Sequence, residues 1–303
     1  MGKCPCITAI TAVMISFIIL PALHTNKTTG EIILDSNSQN TGIEEVTEVR
    51  DNLSDIEEVE NTALAATVKE LVPDHTPQSL IAHAGGAIYG HKYTNSLEAL
   101  DETYSKGTRF IELDLDWTSD GEMVLIHDWE YMSILLFGKS GQLTLQEYSS
   151  KENLLGLTHL TFFELIDWLE EHKDTIIITD IKTDNIKALK YIADEFPEYI
   201  QNFIPQVYNI EEYHKVVSLG YPYIMLTLYK VFLTDKEVLN FCKDNPEIYA
   251  IVMPEVRGYT KLPSKIKELS KDKIKVYVHT VNEVPEHKKL IKNGVFGIYT
   301  DYF

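Results

Sequence analysis

Basic residues are scarce in this chain. Its 303 residues include 27 lysines and arginines against 46 aspartates and glutamates, a formal net charge of −19. Phosphate backbones demand Lys and Arg, so the charge argues against a nucleic-acid partner. Docking on anionic lipid through a basic patch is disfavoured for the same reason. Cysteine is rarer still. Cys4 and Cys6 precede a hydrophobic segment and Cys242 stands alone, so no disulfide framework is implied, and Cys242 reads as a small buried hydrophobe.

Charge is missing altogether from residues 7–23, ITAITAVMISFIILPAL, with Lys3 just before them. Such a run suits an uncleaved signal-anchor or a cleaved signal peptide. The following HTNKTTGE lacks a clear small-x-small cleavage site, which favours the anchor. Either way the rest of the chain is expected outside the cytoplasm, tethered to the membrane or secreted. Residues 24–77 nearly lack aromatics, and the window 31–76 holds twelve acidic residues against two basic ones. They cannot bury enough apolar surface to offset chain entropy, and read as a disordered acidic tether with a short helix at 62–71.

From Gln78 onward, strand-like and helix-like stretches alternate. Strands are expected at 79–84, 110–116, 123–128, 175–182, 203–208, 223–229, 249–254, 275–280 and 297–301. Helices are expected near 95–106, 161–173, 185–195, 210–219, 234–244, 262–270 and 284–293. Alternation of this kind implies parallel βα units. About eight units over 78–303 match a (β/α)₈ TIM-type barrel in size. The ninth strand is accounted for if 110–116 and 123–128 are joined by the short TSDGE turn. An open Rossmann-like sheet is the alternative, but no G-x-G-x-x-G follows the first strand.

The stretch FIELDLDW, 110–117, poses a problem. Glu112, Asp114 and Asp116 occupy every second position, so their carboxylates point to one face. Burying like charges costs several kcal/mol each without compensation. A half-exposed strand with a wet acidic face is one reading; a divalent cation such as Mg²⁺ or Ca²⁺, which takes oxygen ligands, is the other. Other polar residues close neighbouring strands: His83, His127, Asp180 and Lys182. Strand C-termini form the active site of this architecture, so together they suggest one.

The order IAHAGG, YTNSLEAL, GTRFIELDLDWTSDGEMVLIHDW, ITDIK, VHTVN and NGVFGIYTDYF resembles the glycerophosphodiester phosphodiesterase family across residues 79–303. The resemblance implies a (β/α)₈ barrel that hydrolyses glycerol phosphodiesters to glycerol phosphate and an alcohol with a divalent metal. It puts the catalytic histidines on His83 and His127, and the metal carboxylates on Glu112, Asp114 and Asp180. Lys182 falls where the family faces phosphate, Asn95 on the Asn of its E-N-T, and His279 near the eighth strand's end, where substrate contact is expected. Three departures stand out. Ala84 replaces the Arg of H-R-G, Thr94-Asn95-Ser96 replaces E-N-T, and Asp180 replaces the usual Glu. They leave room for another phosphodiester, such as a lysophospholipid, a teichoic-acid-like polymer or a glycolipid. A non-catalytic, membrane-tethered binding module is a further alternative. Segment 129–160 reads as a long loop beside the site, either a substrate lid or a stretch packed on the barrel, with Trp129 stacking on substrate or buried.

Overall fold

The computed structural model describes residues 73–303; the apolar run, nearly all of the acidic tether and the short helix expected at 62–71 lie outside the described residues. Nine strands form one sheet: β1 Leu80–Ala82, β2 Phe110–Trp117, β3 Met123–Leu125, β4 Ile176–Ile181, β5 Phe203–Val207, β6 Met225–Thr227, β7 Ala250–Pro254, β8 Lys275–His279 and β9 Gly297–Thr300. Eight are parallel and close on themselves, in the order β1-β9-β8-β7-β6-β5-β4-β2, with β2 returning to β1. The ninth, β3, runs antiparallel to the upper half of β2, through Leu115–Leu125, Asp116–Val124 and Trp117–Met123. It can do so because β1 ends at Ala82, whose only partner on β2 is Ile111. All nine expected strands are present, and the barrel is the TIM type.

Side-chain alternation sorts every strand into two layers. On β2, Ile111, Leu113 and Leu115 face the helices, while Phe110 joins the barrel interior. On β4, Ile177 and Ile181 face outward and Ile176 and Ile178 inward. The interior floor is apolar and includes Ile204, Met225, Val252 and Tyr277. Counting by twos from these residues toward the strand C-termini leads from Ile81 to His83, from Phe110 to Glu112 and Asp114, from Ile178 to Asp180, and from Tyr277 to His279. The same parity that builds the floor therefore delivers polar residues to the mouth.

Among the described residues, ten α-helices flank the sheet: α1 Leu97–Ser105, α2 Tyr131–Phe137, α3 Leu145–Ser150, α4 Phe162–Glu171, α5 Asn185–Glu195, α6 Ile210–Val217, α7 Asp235–Asp244, α8 Glu255–Gly258, α9 Leu262–Ser270 and α10 Val284–Lys292. Their starts follow capping chemistry. Thr144, Thr161 and Thr234 each form a capping box with a Glu three residues on, satisfying otherwise unpaired N–H groups. The segment expected as a long loop at 129–160 contains α2 and α3. Met132, Leu136 and Phe137 pack with Trp129 and Tyr148 into a cluster of their own. The Tyr148 hydroxyl, fully buried, donates to Leu125 O at 2.8 Å. The segment is thus packed rather than a free lid, and Trp129 is buried within it. A short apolar run without helical period gave no sign of two helices this brief.

Interior packing is tight at Gly297 on β9. A Cβ there would lie 2.5 Å from Ser79 O and 2.8 Å from Tyr277 Cε1. Gly297→Ala is expected to destabilise the fold by roughly 1–3 kcal/mol, as overpacking does. Its denaturation midpoint in urea should drop; an unchanged midpoint would show that the interior can yield.

Candidate active site

Oxygen atoms of Glu112, Asp114 and Asp180 lie within 4.8 Å of one another at the mouth, and all three residues are buried. Asp114 and Asp180 are register partners on β2 and β4, which is why two strands bring them together. Each carboxylate has its own support. Asn95 exchanges two bonds with Asp114: its Nδ2 donates to Oδ2 and its Oδ1 accepts from Asp114 N, both at 2.9 Å. Asn95 reaches this pose with φ of 49°, a left-handed conformation that Asn tolerates. Glu112 Oε2 accepts from Ala84 N at 2.8 Å. Asp180 accepts from the Tyr229 hydroxyl at 2.8 and 3.0 Å, and from the Tyr208 hydroxyl. Lys182 Nζ bridges Asp114 Oδ1 at 2.5 Å and Asp180 Oδ2 at 2.8 Å.

One ammonium does not balance three buried carboxylates. Burial, then repulsion by Asp114, pushes Glu112 up to about 8. Burial also opposes ionisation of Asp180, but Lys182 outweighs it and holds this carboxyl well below the usual range. Burial opposes the charge of Lys182 as well, yet Asp114 and Asp180 raise its proton affinity well above that of a free lysine. Three converging hard-oxygen donors with surplus negative charge fit a divalent cation such as Mg²⁺ or Ca²⁺.

His83 stands beside this group. Its Nδ1 lies 2.8 Å from Asp301 Oδ1, and its Nε2 lies 4.0 Å from Glu112 Oε2. Asp301 also pairs with Lys92 Nζ at 2.9 Å and accepts from Asn282 Nδ2 at 2.7 Å. Burial disfavours the imidazolium, but the Asp301 hydrogen bond and the Glu112 and Asp114 charges prevail and raise His83 to about 9. His127 pairs through Nδ1 with Asp128 Oδ2 at 2.9 Å. Asp128 Oδ1 in turn accepts from the backbone N–H groups of Glu130, Tyr131 and Met132, at 3.0, 2.5 and 3.1 Å, pinning the start of α2. The Tyr93 ring stands between the two imidazoles, its centroid 5.1 Å from His83 and 4.7 Å from His127.

The small cavity at the mouth, about 30 Å³, is lined by His83, Glu112, Asp180, Tyr229 and His279 among others. His279 is held neutral there, pushed down to about 4 by burial and by repulsion from His83. The structure therefore gathers His83, Glu112, Asp114, Asp180, Lys182 and His279. Asn95 is fully buried and its amide is engaged by Asp114. His127 lies across Tyr93, outside the cavity lining. Asp116 is buried and accepts from the Thr183 hydroxyl and from Trp117 N. Sequence reasoning assigned no role to Tyr93, Tyr208, Tyr229, Asp301 or Asn282. The interior parity of Tyr208, Tyr229 and Asp301 was a usable signal; Tyr93, on a loop, offered none.

A closed parallel barrel with an acidic, histidine-bearing mouth defines a TIM-barrel enzyme. The Glycerophosphoryl diester phosphodiesterase family profile matches residues 86–303. A curated glycerophosphodiester phosphodiesterase from Bacillus altitudinis is 23% identical over 237 residues, covering 74% of this chain and 94% of that protein. The crystal structure of a glycerophosphodiester phosphodiesterase from Thermotoga maritima superposes with a TM-score of 0.60 at 21% identity, covering 75% of this chain and 96% of the other. An Oleispira antarctica phosphodiesterase, solved in complex with the product sn-glycerol-3-phosphate, superposes with a TM-score of 0.57 at 17% identity, over 75% and 93% of the two chains. The chain belongs to the glycerophosphoryl diester phosphodiesterase family and is a phosphodiesterase.

The charge surplus has a consequence for stability. Glu112 binds its proton more tightly in the folded protein, at about 8, than a free glutamate does at 4.5. The native state therefore gains stability as pH falls through that window and loses it as pH rises. His83, raised from 6.5 to about 9, also contributes stability that is complete below 6.5 and lost through 9. In chelator, the melting temperature should fall between pH 6 and 9. Glu112→Gln should flatten that fall and melt roughly 2–4 °C or more above wild type at pH 9, with the gap closing by pH 5. A variant that melts below wild type throughout would contradict this reading.

Proposed function

We propose that the protein hydrolyses a glycerol phosphodiester to glycerol phosphate and an alcohol, with His83 and His127 as the acid–base pair and Glu112, Asp114 and Asp180 as ligands of a divalent metal. The observation that carries this reading is the His83–Asp301 pair set directly beside three converging carboxylates. A bound divalent cation supplies charge neutralisation at the phosphoryl oxygens. Asp301 accepts from Nδ1 of His83, which orients the ring and leaves Nε2 on the Glu112 side of the pocket. With a cation offsetting the Glu112 and Asp114 charges that help keep the ring protonated in the free site, Nε2 would be freed to take the proton of the attacking hydroxyl, and Asp301 stabilises the resulting imidazolium. His127, with Nδ1 on Asp128, sits nearer solvent and gives a proton to the leaving alcohol. By likeness to the family, the attacking group is the glycerol hydroxyl next to the phosphate, and water opens the cyclic product. The Oleispira enzyme's bound product supports glycerol phosphate as the part retained in the pocket.

Lys182 neutralises part of the carboxylate cluster and, by likeness to the family, faces the entering phosphate. His279, neutral and with Nε2 unpartnered among the described residues, offers a hydrogen bond to substrate. Asn95 acts through Asp114, which it orients. The shorter Asp180 is supported by the Tyr208 and Tyr229 hydroxyls. The uncharged run 7–23 and the acidic stretch after it support an extracytoplasmic, membrane-tethered enzyme.

Hydrolysis of glycerophosphocholine should stop in chelator and return with Mg²⁺ or Ca²⁺. His83→Ala and His127→Ala should each lower kcat at least about 10²-fold, while divalent-ion stabilisation against heat persists. Asp114→Asn should abolish that stabilisation. Full activity in chelator, or a folded His83→Ala with near-normal kcat, would refute the mechanism. Asp301→Asn, a positioning change, should shift the His83 limb of the pH–rate profile toward acid, because the carboxylate that raises its proton affinity is gone. A profile that stays in place would leave Asp301 a merely structural residue.

A further inference from the structure

We propose that the mouth of the barrel is a lipid-docking surface, on which exposed apolar side chains seat against a zwitterionic lipid interface and admit the phosphodiester of an acyl-bearing substrate. The proposal rests on the hydrolytic reading above and names its substrate class.

The first observation is helix α2, which starts directly after the His127–Asp128 pair. Its sequence, YMSILLF, contains no charged residue. One stripe, Met132 and Leu136, is buried. The other, Tyr131 and Ile134, is 70% and 52% exposed. A surface helix of a soluble protein ordinarily turns a polar face to water; this one turns an apolar pair outward at the rim of the active site.

The second observation lies on the loops of three neighbouring strands. Tyr229, after β6, bonds Asp180 inside the mouth, and within three residues the chain reaches Phe232, 86% exposed. After β7, α8 presents Val256, 76% exposed; after β8, α10 opens on Val284, 63% exposed. Side-chain bonds join these loops: Arg257 Nη2 to Asp235 Oδ1 at 2.9 Å, and the Tyr259 hydroxyl to Glu286 Oε2 at 2.5 Å. Scattered exposed apolar residues are ordinary on protein surfaces. Here three of them lie on the segments that directly follow the C-termini of β6, β7 and β8.

Place and charge select the occupant. A protein seated on this rim would cover the mouth of the barrel, where Glu112 and His83 lie. A small soluble diester has no use for an apolar rim. A lipid interface satisfies both, since it covers the rim while delivering the headgroup inward. Glu130, Glu255, Glu283 and Glu286 lie among the rim residues, and the whole chain carries −19, so a zwitterionic surface suits it and an anionic one does not. Chain length permits the pose. The described chain begins on the opposite face, where His75 O accepts from the Tyr249 hydroxyl. Residues 24–72 can reach at most about 175 Å when fully extended, against roughly 45 Å across a domain of this size.

The test uses the full-length protein. Trp117, Trp129 and Trp168 are all buried, so Phe232→Trp adds an emission signal at the rim. Phosphatidylcholine vesicles should shift that signal to the blue, and brominated phosphatidylcholine should quench it. The variant Y131S/I134S/F232S/V256S should lose at least about 10-fold in kcat/KM on micellar lysophosphatidylcholine relative to glycerophosphocholine, given what burying even one such side chain contributes. Emission unmoved by phosphatidylcholine, emission moved only by phosphatidylglycerol vesicles, or an unchanged ratio between the two substrates would each overturn the proposal. If the wild type hydrolyses neither substrate, the hydrolytic reading fails instead, and the fluorescence still decides the docking.

Discussion

Like charge held at close range is the constraint around which the mouth is built. Asp114 and Asp180 face each other because β2 and β4 pair in register, and Glu112 follows on the same face of β2. Left alone, three buried carboxylates would not stay ionised together. Lys182 bridges two of them, and the hydroxyls of Tyr208 and Tyr229, the amide of Asn95 and the backbone N–H of Ala84 engage what remains. Every one of those contacts also fixes a segment: the turn after β1, the loop before α1, and the ends of β5 and β6. The electrostatics of the site and the conformation of its rim are therefore one problem.

The histidines show how the same constraint shapes chemistry. His83 gains proton affinity from Asp301 and from the acidic cluster, whereas His279, equally interior, loses it to burial and to His83. Two imidazoles in one pocket thus hold opposite charge states near neutral pH. His127 belongs to a wetter setting, where Asp128 ties its ring to the first turn of α2. That link couples an acid–base candidate to the helix whose outer stripe is apolar, so any contact made by Tyr131 and Ile134 bears directly on the placement of His127.

Much of this was readable from residue order. Period-two alternation and the turn residues between segments located all nine strands, and the spacing of apolar residues located the principal helices. The acidic column on β2 announced a charged site, and strand-end residues His83, Asp180 and Lys182 pointed to its members. The stretch 129–160 misled because α2 and α3 are short and their apolar residues run together without a helical period. Asp301 was visible as part of a recognisable motif, but its partner His83 lies 218 positions away in the chain, a distance across which local pattern carries no information.

The sequence by itself determined which side chains face inward, because strand geometry alternates faces regardless of what lies opposite. It determined the excess of negative charge at the mouth and the resemblance that names the family. Only the tertiary structure decided what neutralises that charge: that Lys182 bridges Asp114 and Asp180, that Tyr93 stands between His83 and His127, and that Asn95 holds a carboxylate instead of lining the cavity. It alone decided that α2 buries one apolar stripe and exposes another. Those outcomes depend on strand register around a closed barrel and on loops meeting across its mouth, which are set by packing among residues far apart in the chain.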